Sequence, residues 1–240
     1  MFAPKSKIAS SLIIVFLAVA TVPVLAVDYN PGVSKGHYAK YGNFVGIGPG
    51  VEVFNDYDWQ RVDVVDVSGK EVTLISTGQF KNGVATPGNG TVEVWNVEAG
   101  TRNGTLSVQG SIIAANLNEG DAIPPPNTYA INKTETRTYL GVSRSVNMLN
   151  VTISTPDYET TLTFIYDKAS GMLLESSSRT TPTIAESTPS EYSYGVVETN
   201  IFGISPTIGV PVEYILIAVI VFLVIIIFVV VALLLKKRAK

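Results

Sequence analysis

Residues 59–80 read W-Q-R-V-D-V-V-D-V-S-G-K-E-V-T-L-I-S-T-G-Q-F. Trp59 to Val67 is rich in β-branched residues, which fit a pleated, half-buried surface. Ser68-Gly69-Lys70 supplies turn chemistry, and Glu71 to Phe80 answers with Val72 and Leu74 alternating against Glu71 and Thr73. Strand, turn, strand with period-two alternation predicts a β-hairpin. The pattern repeats outward. Asn82-Gly83 predicts a turn, Thr91 to Val97 alternates again, and Asn103-Gly104 predicts a hairpin turn into a strand over 105–117. Pro124-Pro125-Pro126 cannot lie in a central strand and predicts a stiff crossover. Strands are then expected over 134–140, 142–153, 160–167 and 172–178, with a turn at Asp167 to Gly171. No sustained helical period occurs between the two hydrophobic ends, although short helices would fit near 31–42 or 142–149. Residues 27–50 read as an irregular lead-in. The G-I-G-P-G at Gly46 to Gly50 lacks the flanking strand and helix of a nucleotide loop and reads as a turn. The fold class expected is mainly β: an antiparallel sandwich or half-barrel ectodomain with a C-terminal transmembrane helix.

The two ends set the expected topology. Ile215 to Leu235 carries no charged or polar side chain. At about 1.5 Å of rise per residue such a run spans the roughly 30 Å hydrocarbon core of a bilayer. Lys236, Lys237, Arg238 and Lys240 follow, a cluster that stays cytoplasmic. At the other end, Lys5 and Lys7 precede an apolar stretch from Leu12 to Leu25, and Val24-Leu25-Ala26 offers small-residue cleavage. That is the layout of a secretory signal peptide. The expected organisation is a signal peptide over 1–26, a β-rich extracellular domain over 27–178 and a Ser/Thr/Pro stalk with juxtamembrane segment over 179–213. A membrane helix over 214–235 and a basic tail over 236–240 complete it. A last strand from Tyr194 to Phe202 is also compatible with the pattern. The expected location is the cell membrane, single-pass, with the large domain outside.

All twenty acidic residues but only eleven of the seventeen basic ones fall between the two apolar runs, so the exported part carries a net charge of −9. An acidic exterior argues against nucleic acid, whose phosphates need clustered Lys and Arg. There are no cysteines, which excludes disulfides, thiolate metal sites and cysteine catalysis. Four N-x-T sequons, at Asn89, Asn103, Asn132 and Asn150, are the expected glycosylation sites.

Catalytic chemistry finds little support. His37 is the only histidine, so paired-histidine zinc hydrolysis is excluded, and no G-x-S-x-G occurs. The densest acidic cluster is Asn55, Asp56 and Asp58, followed by Asp63 and Asp66. It offers hard oxygens of the kind calcium takes, without the glycine and terminal glutamate of an EF-hand. An exposed turn and strand face is the expected reading. Trp59, Trp95, Tyr129, Tyr139, Tyr158, Tyr166, Tyr192 and Tyr194 would serve a sugar platform or a lipid cavity, but aromatic residues in strands more often build core. Arg137 and Arg144 flank a turn; the pair would suit an anionic ligand, but an acidic strand neighbour for each is the expected reading. No catalytic residue, metal or cofactor is expected.

The order of signal peptide, β-rich ectodomain, Ser/Thr/Pro stretch, membrane helix and basic tail resembles a class of archaeal cell-surface single-pass membrane proteins, most of unassigned function. I-I-A-A-N-L-N-E-G-D at 112–121 adds to that resemblance. F-I-Y-D-K-A-S-G-M-L-L-E at 164–175 is similar to a hairpin of bacterial lipoprotein-carrier half-barrels, and implies a sheet curled round a ligand. The C-terminus also resembles sortase-processed surface tails, without an L-P-x-T-G string. The expected function is a membrane-anchored surface protein with a non-catalytic binding or structural ectodomain. Its expected partners are the membrane itself and a surface protein, glycan or lipid. A lipid or hydrophobic-ligand carrier with a half-barrel cavity, and a surface hydrolase using Asp or Glu, are the alternatives.

Overall fold

The hairpin at residues 59–80 forms as its pattern predicts, because its turn supplies the one backbone state that a tight reversal needs. Gly69 adopts φ +58°, and Val62, Val64, Val72 and Leu74 are buried together. The computed structural model describes residues 27–107, 110–124, 129–183 and 188–203. The expected signal peptide at 1–26 and the apolar run at 214–235 with its basic tail lie outside the described residues. Among the described residues no helix is long and apolar enough to cross a membrane.

Among the described residues thirteen strands occur in chain order. They are β1 (Tyr38–Ile47), β2 (Tyr57–Ser68), β3 (Glu71–Phe80), β4 (Thr91–Asn96), β5 (Thr101–Arg102), β6 (Thr105–Leu106), β7 (Ala122–Ile123) and β8 (Tyr129–Ala130), then β9 (Lys133–Tyr139), β10 (Val142–Ser154), β11 (Tyr158–Asp167), β12 (Leu173–Pro182) and β13 (Ser190–Thr199). Eleven hydrogen-bond into one antiparallel sheet in the order β6-β5-β4-β3-β2-β1-β13-β12-β11-β10-β9, and β7 pairs with β8 apart from it. Two up-and-down runs, β1–β6 and β9–β13, are thus joined by pairing the first strand with the last.

Four expectations need correction. The lead-in is not irregular, since it contains β1. Ala39, Tyr41 and Phe44 are buried, but register shifts on either side of Tyr41 and Gly42 hide their alternation. The glycines that made the stretch look loose are required by close approach. A β-carbon on Gly46 would stand 1.9 Å from the Val51 carbonyl oxygen. The strand expected over 105–117 ends at Leu106, and Ile112 to Leu117 is instead a buried crossing segment. The stalk expected from 179 is partly sheet. β12 runs to Pro182, and β13 is a central strand between β1 and β12. Ser176 and Ser178 are buried, because small hydroxyl side chains fit beneath neighbouring tyrosines. Residues 142–149 form no short helix; they belong to β10, in line with the strand expected over 142–153.

The crossing segment is held by its backbone. Ile113 N–H donates to Gly171 O (2.9 Å), Leu173 N–H to Ser111 O (3.0 Å), Asn116 N–H to Lys168 O (2.7 Å) and Ala115 N–H to Asn30 O (2.8 Å). Gly110 lies against the ring of Trp95 on β4, and its carbonyl accepts the hydroxyl of Tyr166 on β11 at 3.3 Å. Nearby, the Arg144 guanidinium grips Asp167 through Nε–Oδ1 (2.7 Å) and Nη2–Oδ2 (2.9 Å). The Ser170 amide and hydroxyl also donate to that carboxylate. Arg144 Nη1 reaches the carbonyl of Phe202 at 3.3 Å, so the pair fastens the end of the described chain to β10 and β11.

Asp167 is fully buried and Arg144 nearly so, and removing one partner strands a charge away from water. Arg144→Leu alone should cost about 3–5 kcal/mol in urea denaturation, and Arg144→Leu with Asp167→Leu should recover part of that loss. Gly171 has φ +74°, and a β-carbon there would stand 2.1 Å from Ile113 O. Gly171→Ala should therefore lose about 2 kcal/mol or more. Gly120→Ala, at φ +88° with open space around it, should lose about 1 kcal/mol by the same measurement.

Candidate functional site

One end of the sheet is built of aromatic side chains from β1, β2, β3, β13 and a 3-10 turn at Glu52–Asp56. The turn folds back over β1 because Gly46 leaves room for it. Asn55 fixes the fold-back, accepting the Gly46 N–H at 2.9 Å and donating to the Gly46 carbonyl at 2.7 Å. Phe54 then stacks on Tyr192 with centroids 4.4 Å apart and planes 8° from parallel. Contacts continue from Phe54 to Tyr57 (5.9 Å), Tyr57 to Phe44 (5.2 Å) and to Phe80 (4.8 Å), and Phe44 to Tyr194 (5.3 Å). Tyr194 meets Tyr41 edge-on at 5.7 Å. These separations are those at which aromatic pairs attract. We call this end the tip.

Two recesses adjoin the cluster. A small cavity of about 130 Å³ lies between Tyr41, Gln60, Val62, Ser76, Thr86 and Ser111. Its polar lining suits a few waters. An open groove of about 380 Å³ is bounded by Val53, Asp56, Phe80, Lys81 and Asn82. Val53 is about half exposed there, at 49%. Lys81 is committed within the fold, its Nζ donating to Asn55 O at 2.6 Å. Neither recess is lined by a pair of carboxylates or by the histidine.

The residues singled out in the sequence scatter. His37 sits at the opposite end from the tip, its Nδ1 accepting the Ser34 amide at 2.9 Å, and partial burial lowers its pKa. Asp63 is paired with Arg61 (2.6 Å). Asp56, Asp58 and Asp66 are exposed, and among the described residues no three His, Asp or Glu side chains cluster as a metal site. Trp95, Tyr139 and Tyr166 are core. Trp59 is half-buried, its indole donating to Gln79, and Tyr158 is exposed. Tyr129 is half-buried in β8. Only Tyr192 and Tyr194 belong to the aromatic cluster. Arg137 pairs with Glu135 (2.6 Å) and Glu175 (3.5 Å), and Arg144 with Asp167, so both arginines have acidic strand neighbours. The four sequon asparagines are all exposed. Sequence reasoning missed Tyr41, Phe44, Phe54, Tyr57 and Phe80. The paired spacings Tyr41-x-x-Phe44 and Phe54-x-x-Tyr57, beside glycines, were the available signal.

The cluster has an electrostatic consequence. Burial raises the pKa of Tyr41 and Tyr192, and pushes Tyr194 up to about 12, because the phenolate would lose its water. An unfolded tyrosine titrates near 10. The neutral rings therefore contribute their full stability below about pH 10, and lose it as pH rises toward the folded value of about 12. Stability measured from pH 8 to 12 should hold level to about 10 and then fall, and Tyr194→Phe should flatten part of that fall. No protein-family model matches the chain, and no curated protein matches its sequence.

Proposed function

We propose that this chain is a membrane-anchored cell-surface protein whose β domain works without catalysis, as a binding or structural module, and that its sheet is a half-barrel. The observation that carries this reading is that the inner space is occupied by the protein itself. Ile112, Ile113, Ala114 and Leu117 lie there fully or nearly buried, with Met172 and Leu174 beside them. Curling of the sheet is supported by Gly110, which touches both β4 and β11. Those strands stand six steps apart in the sheet order. In a flat sheet six steps would separate them by about 29 Å, at about 4.8 Å each.

A lipid carrier would need the space that Ile112 to Leu117 fill, and a hydrolase would need convergent carboxylates that neither recess provides. Surface placement is supported by the sequence features at both ends and by the acidic exterior. The described chain enters β1 and leaves β13 at the same end, where Ala39 pairs with Thr199. The nine residue steps from Thr199 back to Ser190 put the tip about 30 Å beyond that junction, at about 3.4 Å each. On this reading the tip is the surface turned outward.

Protease added to intact cells should remove the β domain and spare the segment after Leu235; full protection would overturn the surface placement. Native mass spectrometry of the full chain, released from detergent, should give a polypeptide beginning at Val27 with no retained acyl lipid. A stoichiometric lipid would replace this reading with the carrier.

A further inference from the structure

An open sheet has two free edges, each with unpaired backbone groups that invite pairing with another chain. Here both edges are ragged, because inner strands outrun their outer neighbours. β3 continues to Phe80 although β4 begins opposite Ser76, and the loop before β4 covers that overhang, Phe80 N–H donating to Val84 O at 2.8 Å and Thr86 N–H to Gly78 O at 3.1 Å. β4 pairs with β5 only at Trp95 and Asn96, leaving Thr91 to Val94 outside that ladder. On the far side β10 continues to Ser154, although its last partner in β9 is opposite Met148. Two of these overhangs carry exposed apolar side chains, Val92 on β4 and Ile153 on β10. The outermost long strand β9 protects itself with Lys133, Glu135 and Arg137.

All four sequon asparagines lie at these overhangs. The Asn89 side-chain oxygen accepts the Gly78 N–H at 2.9 Å, just before the start of β4. Asn103 closes both groups of Val94, accepting its N–H at 2.8 Å and donating its own N–H to its carbonyl at 2.8 Å. On the other edge Asn132 spans two residues of β10, its side-chain oxygen accepting the Asn150 N–H at 2.5 Å and its own N–H donating to Met148 O at 2.9 Å. Asn150 stands on the β10 overhang itself, its oxygen accepting the Thr163 hydroxyl at 2.9 Å. In every case the side-chain oxygen makes the structural bond. An N-linked sugar attaches through the other atom, Nδ2. At Asn150 that atom has a 3.6 Å contact to the Met148 sulfur, which a sugar would displace at little cost.

We infer that Asn89 and Asn103 on one edge, and Asn132 and Asn150 on the other, carry N-linked oligosaccharides that shield the open sheet from edge-to-edge pairing with a second copy. The side-chain oxygens satisfy the strand amides, and the sugars cover the apolar overhangs beside them. A residue linked through Nδ2 keeps its edge-capping bond, so the modification and the fold do not compete. The inference rests on the surface reading, since the transferase acts outside the membrane.

The test is peptide mass spectrometry of the full chain from the membranes of its own cells, reading the N-terminus and all four sites. A chain beginning at Val27 with sugar on the four asparagines is expected. Bare asparagines overturn the inference, and leave the surface reading standing where protease on intact cells still removes the β domain; a bare chain whose β domain is fully protected overturns both. A second arm combines Thr91→Ala, Thr105→Ala and Thr152→Ala with Asn132→Asp. This removes every sequon while keeping an oxygen at each edge amide, and a thermal melt checks that the fold is retained. Sedimentation velocity should show self-association at least tenfold tighter than in the glycosylated protein, and enzymatic removal of the sugars from the folded protein should do the same. Unchanged association in both would overturn the shielding role.

Discussion

The antiparallel pairing of β1 with β13 is the constraint from which the rest of the architecture follows. Seven residue pairs join them, from Ala39 with Thr199 to Ile47 with Glu191. The junction is clamped at its lower end by side chains. Asn200 accepts the Tyr38 amide at 2.8 Å and donates to Gly36 O at 3.0 Å, and Thr199 donates to Tyr38 O. Once the first and last strands are neighbours, the middle of the sequence must form both free edges. The link from β6 to β9 must then travel from one edge to the other. Covering the buried face on the way lets it serve as core.

A non-strand segment inside a protein is costly unless its amides and carbonyls find partners. Ser111 to Asn116 meets that condition through the turn at Asp167 to Gly171 and through Asn30. Its side chains give the driving force. Burying Ile112, Ile113 and Leu117 is worth about 1.5–3 kcal/mol each. The two alanines between them allow close approach. A β-carbon on Gly32 would fall 2.5 Å from that of Ala115, so small residues meet on both sides. The same turn that holds the segment also presents Asp167 to Arg144. Core, crossing segment and chain exit are therefore coupled through five residues, and a single buried carboxylate serves several elements.

Legibility in the sequence tracked how local the controlling interaction was. The β2–β3 hairpin, the Asn103-Gly104 reversal and the Asp167 to Gly171 turn were readable because each depends on neighbours a few residues apart. Positive φ at Asn103, Gly104 and Gly171 follows from residue type alone. β1 was obscured and β13 was read only in part, as a last strand over 194–202, because they pair with each other some 150 residues apart and the alternation of β1 is broken by bulges, Gly42 and Gly46. The serines of β12 looked like stalk because their burial depends on Tyr192 and Tyr194 arriving from another strand. The crossing segment looked like a strand because an apolar run does not reveal whether it will be paired or merely covered. The arginine pairs were readable in kind, an acidic strand neighbour, but not in partner. The aromatic tip was lost where the lead-in was dismissed as irregular.

Correcting the stalk changes the picture of how this domain would sit. Ile201 is fully buried and Phe202 is held against Arg144, its ring 5.4 Å from the guanidinium. The folded unit therefore extends at least to residue 202, well past the boundary at 178 that composition suggested. Ten residues, 204–213, remain before the apolar run. Fully extended they would span at most about 35 Å, at about 3.5 Å each. On the proposed anchoring, a tether this short keeps the domain's lower end within about one domain length of the bilayer. The Arg144–Asp167 pair then lies at the point where any pull from the membrane segment enters the sheet. Two charge-assisted bonds within a buried turn resist such a pull better than a serine-rich linker, whose backbone would simply extend.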